Sequence, residues 1–158
     1  MIAVGLIAVA AMACGGVTPR SSPTSSTLPS PRAGATACPQ TAAQITLVQR
    51  LAAGGIKVTA ASTSTGEGLL PKAAGVCLID VGNDSFEVAF FADAASASAV
   101  RVCETRSLDR YLYRLTDRSI DAAYPMYWSV SGATLIWTTK AELDDSLRRI
   151  LNGVRPTC

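Results

Sequence analysis

Residues 76–91 read VCLIDVGNDSFEVAFF, and this stretch decides the fold. Two apolar runs, 76–81 and 86–91, flank the tetrapeptide Gly82-Asn83-Asp84-Ser85. Short runs rich in β-branched and aromatic residues are typical of strands, and a brief connection of Gly, Asn and Asp is typical of a hairpin turn. We therefore predict an antiparallel hairpin here, and we interpret Asn83-Asp84 as turn residues rather than as calcium ligands.

A helix and a short strand are predicted before this hairpin. Thr41, followed three residues later by Gln44, forms a capping-box pattern, and apolar positions at helical spacing follow it until Gly54-Gly55. Residues 56–60 then alternate between apolar and polar side chains, as a strand does.

A middle helix, a second hairpin and a last helix are predicted after the first hairpin. Asp93 is placed to cap a helix that runs to about Arg106. Residues 126–130 and 134–138 flank Ser131-Gly132, which predicts the second hairpin. Three features predict the last helix: a capping-box pair, an apolar face and pairs of oppositely charged residues. These are Thr139 and Glu142, then Leu143, Leu147, Ile150 and Leu151, then Asp144/Arg148 and Asp145/Arg149, with Gly153 after the end.

These elements predict one small α+β domain at residues 38–158, an antiparallel sheet with helices mainly on one face. Residues 107–118 leave one choice open. Arginines recur every four residues, as on one face of a helix, at Arg106, Arg110, Arg114 and Arg118. Residues 109–115 also alternate well enough to form a strand.

The N-terminal sequence is typical of an export signal. Residues 2–13 form an apolar run without charge, shorter than the about 20 residues that a membrane-spanning helix needs, so we predict a signal peptide at 1–13. The run ends in Ala11-Met12-Ala13-Cys14, which resembles the lipobox of bacterial lipoproteins. The resemblance implies that the Cys14 thiol takes a diacylglyceryl group and anchors the protein to the membrane. The alternative is ordinary cleavage after Ala13, which leaves Cys14 free.

A spacer follows the predicted lipidation site. Of the 23 residues at 15–37, 13 are Ser, Thr or Pro. Such a composition cannot bury enough apolar surface to form a core, so we predict a disordered tether that reaches to residue 37.

The cysteine count supports both lipidation and export. Subtracting Cys14 from five cysteines leaves an even four, Cys38, Cys77, Cys103 and Cys158, and none of them forms a CxxC pair. In an exported protein two disulfides are the better interpretation, and three pairings are open. If successive elements reverse direction, Cys38 and Cys77 fall at one end of the domain, which favours Cys38–Cys77 and Cys103–Cys158.

Composition excludes several classes of function. The chain contains no histidine, which excludes Ser/His/Asp and Cys/His units and HExxH zinc sites, and we predict no metal and no cofactor. Of 14 basic side chains, Arg20 and Arg32 precede residue 38, so residues 38–158 hold 12 basic and 12 acidic groups. This balance argues against nucleic acid as a partner.

Four residues are candidates for surface binding. Arg110 and Arg114 carry the planar guanidinium that suits carboxylate, phosphate or sulfate. Tyr124 and Tyr127 lie in an aromatic cluster, and exposed aromatic rings stack on sugar rings or peptide. We expect Trp128 in the same cluster to be a core residue.

The order of elements, with the leader and the tether, resembles small uncharacterised domains of bacterial lipoproteins, a resemblance that implies no specific activity. We expect a membrane-anchored extracytoplasmic lipoprotein that acts as a non-catalytic binding module of the cell envelope, with an envelope protein or glycan as its partner. One alternative is a hydrolase that uses carboxylates alone, with Asp109, Asp117 or Asp121 as members. Another is an accessory subunit of an envelope assembly.

Overall fold

The computed structural model describes residues 28–64, 70, 72–107, 110–116 and 118–158. In these residues the chain forms a single small α+β domain with three helices and two antiparallel sheets, which confirms the predicted fold class. The elements are α1 (Ala42–Ala53), β1 (Val58–Thr63), β2 (Gly75–Val81), β3 (Asp84–Phe90), α2 (Ala94–Ser98), β4 (Val102–Ser107), β5 (Arg110–Leu115), β6 (Arg118–Ala122), β7 (Tyr127–Ser131), β8 (Thr134–Thr138) and α3 (Ala141–Leu151).

The predicted first hairpin is confirmed and forms the centre of the larger sheet. This sheet has the strand order β1-β2-β3-β8-β7, and every neighbouring pair is antiparallel. Val81 pairs with Asp84, so the turn consists of Gly82 and Asn83 alone. Gly82 has a φ of +61°, a left-handed conformation that glycine adopts without steric cost.

The five-stranded sheet is buried on both faces. Along β3, Phe86, Val88 and Phe90 face a core that is shared with α1 and α3. Ala89 and the following Phe91 face a second core, which is shared with β5 and α2. The domain therefore has three layers, with the two longer helices on one side of the sheet and the smaller sheet on the other.

The two longer helices begin differently. α1 starts as predicted, since the Thr41 side chain accepts from the Gln44 backbone N–H while the Gln44 side chain accepts from the Thr41 backbone N–H. The predicted Thr139/Glu142 capping box of α3 is wrong. Instead, Lys140 is the N-cap residue, and its backbone N–H donates to the hydroxyl of Thr138, the last residue of β8.

The middle of the chain corrects a second prediction. The helix expected from Asp93 to about Arg106 ends at Ser98, although Asp93 does cap it by accepting from the Ser96 backbone N–H at 2.6 Å. The next residues form β4, because Val102 and its neighbours pair with β5. Residues 102–107, 110–115 and 118–122 make a three-stranded antiparallel sheet, which settles the open choice in favour of strands.

Both predicted disulfides are confirmed, and their surroundings differ. Cys38 and Cys77, with Cα atoms 5.8 Å apart, are 3% and 0% exposed. They belong to the core shared with α1 and α3, which we call the helix-side core. Cys103 and Cys158, with Cα atoms 4.5 Å apart, lie at the surface and join β4 to the last residue of the chain. Gln44 Nε2 lies 3.4 and 3.5 Å from the two sulfur atoms of the buried disulfide, which connects that disulfide to the start of α1.

The domain begins earlier than the boundary at Cys38 that the sequence suggested. Residues 28–37, which we call the strap, lie along β1 although they were predicted as tether. Leu28 is only 7% exposed and packs in the helix-side core. Arg32 donates to both carboxylate oxygens of Asp80, which raises the pKa of the Arg32 guanidinium above its ordinary value. The predicted signal peptide, Cys14 and the rest of the predicted tether lie outside the described residues.

The strap supplies acceptors to β1, and this arrangement gives a testable prediction. Ala61 N–H donates to Ser30 O, and Thr63 N–H donates to Thr36 O. We expect Leu28→Ala to loosen the strap and to accelerate amide exchange at these two β1 residues by about tenfold or more, since losing a buried leucine costs well over 1.4 kcal/mol. Amides of β3 serve as the control. Equal acceleration throughout the domain contradicts a local role.

Candidate functional site

A groove lies where the three-stranded sheet meets β7 and residues 152–158, which we call the C-terminal tail. It encloses about 370 Å³, within the range of small-ligand sites. The lining includes Glu104, Arg106, Tyr111, Tyr127, Trp128 and Arg155, together with Pro125 and Pro156. The groove therefore combines charged groups of both signs with aromatic and proline surfaces.

Strand pairing brings the charged and aromatic side chains to one face. Glu104 and Arg106 are two residues apart on β4, so both project from the same face of the smaller sheet. Their cross-strand partners on β5 are Tyr113 and Tyr111. The Arg106 guanidinium carbon lies 5.3 Å from the centre of the Tyr111 ring, a cation–π arrangement that holds Arg106 over an aromatic face.

Four aromatic rings continue from the groove into the core, and we call this series the aromatic column. The rings of Tyr111 and Tyr113 are 6.4 Å apart, those of Tyr113 and Trp128 are 5.9 Å apart, and those of Trp128 and Trp137 are 5.1 Å apart. Only Tyr111 is half-exposed, whereas the other three are 7% exposed or less. The column gives the groove a rigid wall, because each ring is fixed by its neighbours.

The two tryptophans differ in hydrogen bonding. Trp137 Nε1 donates to Glu87 Oε2 at 2.6 Å, and Glu87 also accepts from Ser64 Oγ. Trp128 Nε1 is buried and finds no acceptor among the described residues. A buried polar group without a partner costs about 1–3 kcal/mol. Trp128, which lines the groove, thus has an indole N–H without an acceptor among the described residues.

The C-terminal tail forms the opposite wall. Val130 and Val154 exchange backbone hydrogen bonds of 2.8 and 2.9 Å, which places the tail along the outer edge of β7. Arg101 Nη1 donates to Thr157 Oγ1 and to the carbonyl oxygen of Cys158, at 3.2 and 3.3 Å. The Cys103–Cys158 disulfide fixes the end of the same segment to β4. The backbone at Arg155 is therefore held by contacts on both sides, and the side chain of Arg155 is exposed.

Two guanidinium groups at the groove have no ion-pair partner. In the part of the chain that the structure describes, neither Arg106 nor Arg155 lies within 4.0 Å of a carboxylate oxygen. Glu104 is the acidic member of the lining, so the charged side chains of the groove sum to +1. Arg32, Arg110 and Arg148 form ion pairs, whereas the other described arginines, like Arg106 and Arg155, form none with a described carboxylate.

No family model, curated protein or solved structure matches the chain. The groove is therefore interpreted from its own residues. Within residues 28–64, 70, 72–107, 110–116 and 118–158, no three His, Cys, Asp or Glu side chains cluster as metal ligands do. Helices in the same residues all fall short of the length and apolarity required to cross a membrane.

The four predicted binding residues fall in different places. Tyr127 lines the groove. Tyr124, which is 69% exposed, lies in the connection between β6 and β7. Arg110 and Arg114 share the opposite, outer face of β5, because they differ in parity from Tyr111 and Tyr113. The predicted set is thus divided among three places, the groove, the β6–β7 connection and the outer face of β5.

Of the three carboxylates of the alternative hydrolase, the structure describes Asp121. Asp121 is exposed and accepts from Arg110, with Nη2 and Oδ2 2.8 Å apart. Asp109 and Asp117 lie outside the described residues. The predicted binding residues did not include Glu104, Tyr111 and Arg155. The signal that could have pointed to Arg155 is the preferred Cys103–Cys158 pairing, because it places the C-terminal tail beside β4.

Tyr113 gives a prediction about pH. Its side chain is 0% exposed, and burial raises the pKa of its hydroxyl above the ordinary value of about 10, although the Met126 backbone N–H donates to that oxygen at 2.6 Å. Above pH about 10 the unfolded chain releases this proton before the folded one does, so the free energy of unfolding should fall as the pH rises.

The check on Tyr113 is an alkaline titration of tyrosinate absorbance, followed by denaturant unfolding at the same pH values. We expect Tyr113→Phe to lose one phenol that ionises above the ordinary range. We also expect its stability to fall less steeply with rising pH than that of the wild type. Parallel stability curves for the two proteins contradict the assignment.

Proposed function

We propose that the protein is an extracytoplasmic lipoprotein, anchored to the membrane through a diacylglyceryl group on Cys14. We further propose that its folded domain is a non-catalytic module that binds a cell-envelope component. The groove is the single observation that carries the binding role, because it combines a fixed aromatic wall with two arginines that lack ion-pair partners in the described residues.

The two disulfides support an extracytoplasmic location. Disulfides persist in oxidising compartments and are rare in the cytosol of mesophiles. The confirmed pairing uses Cys38, Cys77, Cys103 and Cys158, which leaves Cys14 as the odd cysteine of five. An exported protein with one remaining cysteine directly after Ala11-Met12-Ala13 is consistent with lipid attachment at that thiol.

Lipidation is tested on full-length protein extracted from membranes with detergent. We expect the intact mass to correspond to a chain that begins at Cys14 and carries a diacylglyceryl group. We also expect Cys14→Ser to move the protein from the membrane fraction to the soluble extracytoplasmic fraction. A wild-type chain that still begins at Met1, or that carries no lipid, overturns the anchor.

Binding is tested by retention of envelope fractions on the immobilised full-length protein. We expect Arg106→Gln and Arg155→Gln each to reduce retention. Arg149→Gln, which changes an exposed arginine on α3, should retain as much as the wild type. Arg114→Gln distinguishes the two surfaces, because a loss in this variant alone assigns binding to the outer face of β5. Equal retention by all four variants overturns the groove as the binding site.

A further inference from the structure

We infer that the groove takes a saccharide that bears an acidic group, held by Arg106 and Arg155. This inference rests on the proposed function, and it adds the chemical class of the ligand. Guanidinium groups pair with carboxylate or phosphate through two parallel hydrogen bonds, and the described residues supply no such anion to either arginine. An acidic ligand therefore meets two donors that the fold leaves available.

The placement of the two arginines favours binding over a merely solvated surface. Arg106 lies over the Tyr111 ring, so part of its side-chain freedom is lost before any ligand arrives. The backbone of Arg155 is held between the Val154 contact to β7 and the Thr157 and Cys158 contacts to β4, and Arg155 lines the groove. A guanidinium that is already ordered, as that of Arg106 is, loses less entropy on binding, which strengthens each hydrogen bond that it forms.

The remaining charged group of the groove matches sugar hydroxyls better than it matches an acidic peptide. Glu104 is an acceptor in the groove, and it repels a chain of carboxylates but accepts from a hydroxyl. One carboxylate acceptor beside two cations fits a sugar acid.

Aromatic surface completes the match. Tyr111 is half-exposed beside Arg106, and Tyr127 lines the same groove. The apolar face of a pyranose ring packs against such rings, while its hydroxyls point to the rim. A guanidinium group binds carboxylate and phosphate in the same way, through two parallel hydrogen bonds. The ligand class therefore includes uronic acids and phosphorylated sugars.

The test is isothermal titration of the full-length protein with four probes. These are trigalacturonate, its methyl ester, glucose 1-phosphate and hexaglutamate. The ester has the same sugar chain without the charges, so it isolates the contribution of the acid. We expect trigalacturonate to bind at least about tenfold more tightly than the ester, the factor that one charge-assisted hydrogen bond provides. Binding of glucose 1-phosphate in its place identifies phosphate as the acid and supports the same inference.

Variants assign the contacts. Arg106→Gln and Arg155→Gln should each weaken binding of the acidic saccharide about tenfold or more, and Arg149→Gln should leave it unchanged. Unfolding midpoints of all variants are compared with that of the wild type, to show that each variant is folded. Arg106→Lys retains the positive charge and should recover part of the affinity that Arg106→Gln loses.

Three results overturn the inference. They are binding of the ester as tightly as trigalacturonate, binding of hexaglutamate as tightly as the saccharide acid that binds, and failure of both trigalacturonate and glucose 1-phosphate to bind. Failure on any of these points leaves the proposed function to the envelope-retention experiment, which does not depend on the probes. If retention still falls in Arg106→Gln while both saccharide acids fail, the groove binds another class of ligand.

Discussion

Replacing both cysteines of the buried disulfide, Cys38→Ala with Cys77→Ala, is expected to lower the free energy of unfolding by about 4 kcal/mol. The crosslink spans 39 residues, and the loss of chain entropy in the unfolded state accounts for a figure of that size. The substitution also removes both sulfur atoms that lie near Gln44 Nε2 in the core. Guanidinium chloride denaturation of the two proteins measures the difference.

The surface disulfide is the matched control for this prediction. Cys103→Ala with Cys158→Ala opens a crosslink of 55 residues, for which the entropy argument alone gives a slightly larger loss. Burial gives the opposite order, because the surface pair leaves no core polar group without its neighbours. We expect the buried pair to contribute more. A larger loss for the surface pair shows that chain entropy, rather than the core around Gln44, determines the order.

Trp137→Phe is expected to destabilise the domain by about 2–3 kcal/mol more than Trp128→Phe. Both substitutions remove the same atoms from neighbouring rings of the aromatic column. Trp137 Nε1 donates to the Glu87 carboxylate, whereas Trp128 Nε1 has no acceptor among the described residues. A hydrogen bond to a charged group contributes about 1.5–3 kcal/mol, and removing an unsatisfied donor relieves a cost.

Denaturant unfolding of the two tryptophan variants gives this difference directly. Repeating the comparison in a Glu87→Gln background tests the cause, because the neutral amide weakens the acceptor and should shrink the gap. Equal stabilities of the two variants in the wild-type background contradict a net contribution from the Trp137–Glu87 hydrogen bond.

Elements with strong local signals could be predicted from the sequence. The β2–β3 hairpin is encoded by two apolar runs and a Gly-Asn turn, and the start of α1 by Thr41 and Gln44, which are close neighbours in the chain. Such signals require no knowledge of distant residues. The disulfide pairing followed from them, since the order of confirmed elements places Cys38 near Cys77.

The smaller sheet could not be predicted because its arginine spacing fits two structures. A period of four places residues on one helix face, and as an even number it also places them on one strand face. Arg110 and Arg114 do share the outer face of β5. Arg106 falls on the opposite face, because it pairs with Tyr111, which differs in parity from Arg110 and Arg114. The middle helix was overextended for a related reason, because nothing local marks the start of β4.

The candidate site was predicted only in part because it is non-local. Tyr127 was identified from its aromatic neighbourhood, and it does line the groove. Arg155 lies about fifty residues from Arg106 in sequence, and only the tail's pairing with β7 and its disulfide to β4 bring the two to one groove. The strap was missed because a Ser/Thr/Pro composition describes its average character and not the single buried Leu28.

Two segments outside the strands each cover one edge of the five-stranded sheet, and a disulfide lies close to each of them. Residues 36–38 cover β1 beside Cys38–Cys77, and Val154 covers β7 upstream of Cys103–Cys158. Reduction removes one of the contacts that hold each segment, so we expect both edges to become more available for pairing with another molecule, as in edge-to-edge aggregation. Production in a reducing cytosol should therefore yield more aggregated material than production in an oxidising compartment.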